Sequence, residues 1–224
     1  MLQRLQHLLE TIYDARSGHD VQQFLLTQRR QLPRERRRLA QDEELVVVDE
    51  RDGAFLGVYI DAAVLRRLQR RDPMRALDSG NIADFWTALE GVSHFSYLMW
   101  NNGHDRGVSQ LELELQAEVD KYIASWWLLR AQNPGYFPRE LRRVLFGRTS
   151  LADGLDASRQ ALYMRATRYA SSFCTQLETT LSSDRPALRH AAIAALRRFY
   201  RLGSLRKLRH IDMTARGPAT GAAS

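Results

Sequence analysis

Apolar residues recur every three or four positions along most of this chain, which is the spacing of helices with one buried face. In the first segment, for example, Leu2, Leu5 and Leu9 fall on one side. The same spacing predicts helices over residues 2–15, 20–32, 62–71, 82–100, 109–131, 139–146, 159–181 and 186–202, followed by a short basic segment over 204–209. We therefore expect a mostly α fold, a multi-helix bundle.

The pattern changes at residues 45–60, where β-branched and alternating apolar residues replace the helical spacing. Residues 45–48 form a β-branched run, residues 55–60 follow it, and Asp52-Gly53 between them is a strong hairpin-turn signal. These features predict one small two-stranded β-hairpin in the N-terminal third. Because two strands alone are only marginally stable, the hairpin must pack on the helices or extend a partner's sheet.

Residues 111–119 alternate apolar and polar side chains with a period of two, as a half-buried strand would. We nevertheless predict a helix there, because Leu, Glu, Gln and Ala are strong helix formers. Leu115, Tyr122 and Trp126 also continue a helical spacing further along the chain.

Breaks that contain proline and glycine divide the chain into three predicted segments. Residues 1–73 combine helices with the hairpin, and residues 74–211 form a helical bundle; the two segments form either separate domains or one body. Residues 212–224 are small, polar and broken by Gly217 and Pro218, so we expect a disordered tail.

The composition is that of a globular basic protein, with 44% hydrophobic residues and a formal net charge of +7. Cys174 is the single cysteine, which excludes an internal disulfide and a cysteine-ligated metal cage. This cysteine usage favours the cytoplasm. No run approaches the roughly 20 apolar residues needed to cross a bilayer, so we expect no transmembrane segment.

Basic residues are concentrated near the carboxyl end, where residues 185–211 contain eight arginines and lysines and no acid. Arginine together with tyrosine is the composition of a surface that grips phosphates and stacks bases. The first hypothesis is a non-enzymatic accessory or regulatory protein that binds a polyanion, above all nucleic acid. The residues assigned to that surface are Arg165, Arg168, Arg189, Arg197, Arg198, Arg201, Arg206, Lys207 and Arg209.

Acidic residues are concentrated in residues 81–130, which contain four more acids than bases. The helices predicted at 82–100 and 109–131 are joined by a short loop, so we expect an antiparallel pair. Such a pair would bring together residues that suit a divalent cation, namely Glu90, His94, Glu114 and Glu118. The alternative hypothesis is therefore a metal-dependent hydrolase in which His94 is a ligand or, with Glu90, a general acid–base group.

Two other interpretations of the acids stay open: a solvated helix face with His94 hydrogen-bonded in the core, or pairing with arginines of the later helices. No complete catalytic or cofactor motif accompanies the charges, so we expect no cofactor under the first hypothesis. A third hypothesis is a protein–protein adaptor that uses Trp127 and the hairpin edge. The basic surface also suits an acidic protein as a partner. The sequence leaves the oligomeric state open.

Overall fold

The computed structural model describes residues 1–37, 41–50, 53–147, 156–183 and 185–215. Over these residues the chain forms eight α-helices and three β-strands. The helices are α1 (Leu2–Tyr13), α2 (Ala62–Arg70), α3 (Ile82–Asn102), α4 (Gln110–Gln132), α5 (Leu141–Phe146), α6 (Ala157–Leu181), α7 (Pro186–Tyr200) and α8 (Ser204–Ala215), and the strands are β1 (Leu25–Leu26), β2 (Glu43–Glu50) and β3 (Gly53–Ile60). The mostly helical class is confirmed.

The sheet has three strands in the order β1-β3-β2, so the prediction of a two-stranded hairpin was incomplete. Strands β2 and β3 pair antiparallel, with Leu45 opposite Val58, and β1 adds to β3 in parallel. Asp52 of the predicted Asp52-Gly53 turn lies outside the described residues, and Gly53 begins β3.

The helix predicted over residues 20–32 is wrong. The structure has two short 3₁₀ turns there, Val21–Phe24 and Arg29–Gln31, separated by β1. The backbone of β1 bonds to β3 instead of to a preceding helical turn, and the side chain of Leu26 lies directly over Gly57. Contact with a distant strand has overridden the local apolar spacing.

Helix α4 begins after Ser109, whose hydroxyl accepts a bond from the backbone N–H of Glu112, and the helix predicted there is confirmed. It packs against α3, α5 and α6 and is covered on nearly every side. This enclosure accounts for the misleading alternation of residues 111–119, because leucine and glutamate positions alike are turned into the interior.

The larger of two hydrophobic clusters among the described residues includes residues from both segments of the chain. Helix α1 packs against α3 and α7, where the rings of Tyr13 and Tyr200 stack with centroids 4.3 Å apart. The first four residues of the predicted tail, 212–215, continue α8 and so are ordered, while residues 216–224 lie outside the described part of the chain. None of the described helices combines the length and apolarity needed to span a membrane.

Candidate functional site

Six ionisable side chains from β2, α3 and α4 meet inside the molecule. We call this group the acid–histidine cluster. Its members are Glu43, Glu90, His94, Glu114, Glu118 and Lys121. Buried charges are costly unless they are paired, so a group of four carboxylates in one place is an unusual feature of an interior.

The antiparallel packing of α3 on α4 builds most of the cluster. Glu90 and His94 are one turn apart on α3 and face Lys121 and Glu114 of α4. The antiparallel packing agrees with that expected from the short loop.

Glu43 reaches the cluster from β2 because α3 carries a glycine at the crossing point. A Cβ atom at Gly91 would lie 3.4 Å from Oε2 of Glu43 and 3.2 Å from Cγ1 of Val58. A side chain at this position would therefore require these neighbours to shift by a few tenths of an ångström. Sequence analysis missed Glu43, since nothing in the local pattern of β2 indicates which helix the strand will meet.

His94 lies at the centre of the cluster and is only 5% exposed. Its Nε2 is 3.5 Å from Oε2 of Glu114, and its Nδ1 is 3.8 Å from Oε2 of Glu43. Neither Nε2 of His94 nor Oε2 of Glu43 has a hydrogen-bond partner among the described residues. Buried polar atoms are rarely left in this state, and an unfilled ligand position is one of the usual reasons.

The carboxylates decide the charge of the histidine. Burial alone would lower the pKa of His94, but the charges of Glu114, Glu43 and Glu90 raise it to about 10. Burial and the nearby Glu90 carboxylate raise the pKa of Glu43 well above its usual range. The cluster therefore favours the positively charged form of His94.

Lys121 neutralises the other side of the cluster. Its Nζ lies 2.9 Å from Oε2 of Glu90 and 2.8 Å from Oε1 of Glu118. Burial alone would lower the pKa of Lys121, but these two carboxylates raise it above its ordinary value. Glu118 therefore pairs with Lys121. It is not one of the three residues whose potential ligand atoms converge.

Those three residues are Glu90, His94 and Glu114, each of which offers one ligand atom within 4.8 Å of the others. Ligand atoms at about 2.1 Å from a common cation lie roughly 3 to 4 Å apart, so a small contraction would complete a coordination sphere. Two carboxylates and one imidazole fit Mn²⁺, Fe²⁺ or Zn²⁺ better than Ca²⁺, which prefers oxygen ligands alone.

A cavity of about 220 Å³ connects the cluster with the surface. Glu43, His94 and Glu114 form part of its wall, and Tyr163 and Arg159 of α6 contribute to it. A second arginine in the lining, Arg36, pairs with Glu44 at 2.6 Å. A small molecule could therefore reach the cluster past positive side chains.

A second buried network is centred on Asp120 of α4, a residue that is 1% exposed. Its carboxylate accepts hydrogen bonds from Tyr13 at 2.5 Å, Ser93 at 2.6 Å and Gln116 at 2.7 Å. Burial raises the pKa of Asp120 to about 6, although all three bonds oppose the shift. The three hydrogen bonds engage both carboxylate oxygens of Asp120, so we interpret this network as structural.

Lys207 belongs to that interior network, which contradicts its assignment to a phosphate-binding surface. The residue is 0% exposed, donates a hydrogen bond to Oε1 of Gln116, and lies over the ring of Tyr97 at 4.2 Å. Burial lowers the pKa of Lys207 to about 7. The periodicity of α8 failed here because its buried face contains this cation next to Leu208 and Ile211, whereas Leu205 is 70% exposed.

Two more of the assigned residues, Arg197 and Arg201, bind the carboxyl end of α1. Arg201 donates to the carbonyl oxygens of Tyr13 at 3.0 Å and Asp14 at 2.7 Å, and Arg197 donates to that of Ile12 at 3.2 Å. The last carbonyls of a helix have no partner within it and carry partial negative charge. These arginines therefore hold α7 against α1.

The remaining assigned residues have different surroundings. Arg165 and Arg168 are exposed and lie against the ring of Tyr169, while Arg189 lines an apolar cleft described below. Five residues of the original set are exposed and form no ion pair with any described residue. We call them the exposed arginine set: Arg165, Arg168, Arg198, Arg206 and Arg209.

Neither of the two other interpretations of the acids holds for α4. Glu112, Glu114 and Asp120 are buried and not solvated, and their partners are Tyr97, His94 and the network around Gln116 instead of later arginines. Trp127, assigned to an adaptor surface, is half-buried and packs against the core.

Comparison of the chain with models of known families, with curated proteins and with solved structures gave no match. The chemistry of the acid–histidine cluster is therefore argued from its own geometry.

Proposed function

We propose that this protein is a divalent-cation-dependent hydrolase whose centre is the acid–histidine cluster. The observation that carries the proposal is the convergence of Glu90, His94 and Glu114 around a buried imidazole nitrogen that has no hydrogen-bond partner among the described residues. A cation placed there would satisfy that nitrogen and would balance the excess of carboxylates.

The surrounding residues support a metal site. Lys121 holds Glu90 through a 2.9 Å bond, which fixes the orientation of a ligating carboxylate as outer-shell partners do in metalloproteins. Glu43 approaches the free ring nitrogen of His94 from the other side, at 3.8 Å. A carboxylate in that place would orient the imidazole for coordination through Nε2.

The cavity indicates the class of substrate. A bound divalent cation lowers the pKa of a coordinated water and polarises a bond to oxygen. Arg159 in the cavity lining would attract an anion, which suggests a phosphate ester. In the reaction a water oxygen bonds to phosphorus, the ester P–O bond breaks, and the proton of the water leaves on the alcohol oxygen.

The cation site is tested by titrating the metal-free protein with Mn²⁺ in a calorimeter. We expect one site per chain and at least a tenfold loss of affinity in His94→Gln and Glu114→Gln. Glu112→Gln is the matched control, because Glu112 is equally buried on α4 but accepts its hydrogen bond from Tyr97. Absence of Mn²⁺ binding by the folded wild type, or undiminished binding by H94Q, would overturn the proposal.

Hydrolysis is tested separately with p-nitrophenyl phosphate in the presence of Mn²⁺. We expect turnover that H94Q abolishes and that Arg159→Met reduces through a higher KM, with exposed Arg139→Met as control. Mn²⁺ binding without turnover of this ester would leave the cation site in place and remove the phosphatase assignment.

Polyanion binding stays a second candidate, which the exposed arginine set favours. If all five arginines contact phosphates, the slope of log affinity against log salt is about −4.5. We expect R198A/R206A/R209A to weaken binding to a short DNA duplex and to flatten this slope, whereas R66A/R70A/R139A, on other exposed arginines, should bind as wild type. Equal binding by both triple variants would retire this surface.

A further inference from the structure

A second cleft lies on the opposite half of α4 from the acid–histidine cluster. It has a volume of about 340 Å³ and separates the carboxyl-terminal half of α4 from α7, with the end of α6 closing one side. Its walls are mainly apolar. The lining residues are Ile123, Trp126, Trp127, Arg130, Ala131, Leu181, Arg189, Ile193 and Leu196.

The charged groups of the cleft are all of one sign, since its lining contains two arginines and no acid. The guanidinium of Arg130 lies 6.0 Å from the ring centroid of Trp126, and one of its nitrogens donates to the carbonyl of Tyr136. An apolar pocket with a cationic rim is complementary to an amphipathic anion.

The wall contains a polar atom that lacks a partner. Trp126 is 7% exposed, and its indole Nε1 has no hydrogen-bond acceptor within the described part of the chain. A buried tryptophan N–H usually finds an acceptor, so this donor is a second sign that something is missing from the cleft.

We propose that this cleft binds a small organic anion with an apolar body, such as a medium-chain or aromatic carboxylate. The apolar part lies against Ile193 and Leu196, and the carboxylate lies at the arginine rim beside the indole N–H of Trp126. The volume falls within the range of small-molecule sites. Ile123 and Leu196 in the wall are 1% and 2% exposed, which is too recessed for a flat protein surface to reach.

The site is separate from the proposed hydrolase centre. It uses α4 residues 123–131, whereas the acid–histidine cluster uses residues 114–121 of that helix. Substitutions in the cleft should therefore leave Mn²⁺ binding unchanged, and failure of either proposal says nothing against the other.

The test uses the full chain with anilinonaphthalene sulfonate as a fluorescent apolar anion, displaced by decanoate or by its uncharged analogue decanol. We expect saturable dye binding and at least tenfold stronger competition by decanoate than by decanol. Ile193→Trp fills the cleft and should abolish dye binding. Arg130→Met keeps the apolar stem and should remove most of the preference for decanoate.

Arg143→Met, which alters an exposed arginine on α5, is the control and should behave as wild type. If Ile193→Trp does not give a native near-ultraviolet circular dichroism spectrum, Ala131→Phe blocks the cleft from an exposed position instead. Undiminished dye binding by a folded cleft-blocking variant would overturn the site. Equal competition by decanoate and decanol would overturn its preference for an anion.

Discussion

The acidic pair α3–α4 and the basic pair α7–α8 stand out equally in the sequence, yet folding treats them differently. On α4 the carboxylates of Glu112, Glu114 and Asp120 are taken into the interior, where each finds a specific partner. On α7 and α8 the cations are divided among three environments: a helix end, the core and the surface.

This comparison shows that a run of like charges predicts an attraction but not its target. The carbonyls at the end of α1 carry partial negative charge, so they accept hydrogen bonds from Arg201 as a phosphate would. They belong to the same chain. The acids, for which a solvated helix face was one of the open interpretations, instead form the site with unfilled bonding capacity.

The largest effect is expected where a buried charge loses its partner. Lys121→Met leaves the carboxylates of Glu90 and Glu118 without their cation, and should lower the free energy of unfolding by about 3–5 kcal/mol. Urea denaturation measures the change. Arg143→Met removes only an exposed i,i+3 pair with Glu140 and should cost about 0–1 kcal/mol. Equal losses in the two variants would mean that the acid–histidine cluster is solvated.

The pH dependence of stability distinguishes Lys207 from a surface cation. Its pKa is about 7 in the fold and about 10.4 in the unfolded chain, so between these values the unfolded state binds more protons. Stability relative to Lys207→Met should then rise with pH from 7 toward 10, by about 1 kcal/mol per pH unit. Urea denaturation of both proteins at pH 7, 8 and 9 would reveal this. If the difference in free energy of unfolding between the two proteins stayed constant from pH 7 to 9, Lys207 would be exposed to solvent.

Arg198 and Arg201, near the carboxyl end of α7, are expected to have different roles. Arg201 caps the end of α1, whereas Arg198 lies on the surface. Arg201→Met removes the bonds to the carbonyls of Tyr13 and Asp14 and should cost about 1–2 kcal/mol, with faster hydrogen exchange at the end of α1. Arg198→Met, at an exposed position, should change stability by less than about 0.5 kcal/mol. If R198M were the more damaging variant, the two assignments would have to be exchanged.

The smallest effect concerns the crossing of the sheet on α3. Gly91→Ala places a methyl group 3.2 Å from Val58, and this crowding should outweigh the gain in helix propensity by about 1 kcal/mol. Gly103→Ala meets nothing closer than 3.6 Å and should be neutral or slightly stabilising. Thermal unfolding of the two variants compares them directly, and a stabilised G91A would show that Glu43 and α3 are not in close contact.

Local pattern was enough to predict most helices, because α3, α4, α6 and α7 begin and end within about two residues of the expected bounds. It failed at Leu25–Leu26, where pairing with β3 decides the conformation. It indicated Glu90, His94 and Glu114 as one group, since a short loop forces their helices together. Glu43 could not be found in this way, because β2 is far from both helices along the chain.

The scarcity of lysine is a compositional signal of which residues are buried. The chain has only two lysines, Lys121 and Lys207, beside 31 arginines, and both lysines are buried. An arginine stays charged in a protein, whereas a lysine is compact and can lose its proton when buried. In a chain that otherwise uses arginine, a lysine is therefore a sign of an interior position.

The sequence by itself determined the helical class, the antiparallel pairing of α3 with α4, and the residues at which an acid–histidine group could form. Only the tertiary structure decided which charges face water. That choice depends on partners distant in sequence: Lys207 lies against Gln116, Arg201 against the end of α1, and Glu43 against His94. A charge is stabilised by whatever opposite charge or dipole packing brings within a few ångströms, and local periodicity carries no information about that neighbour.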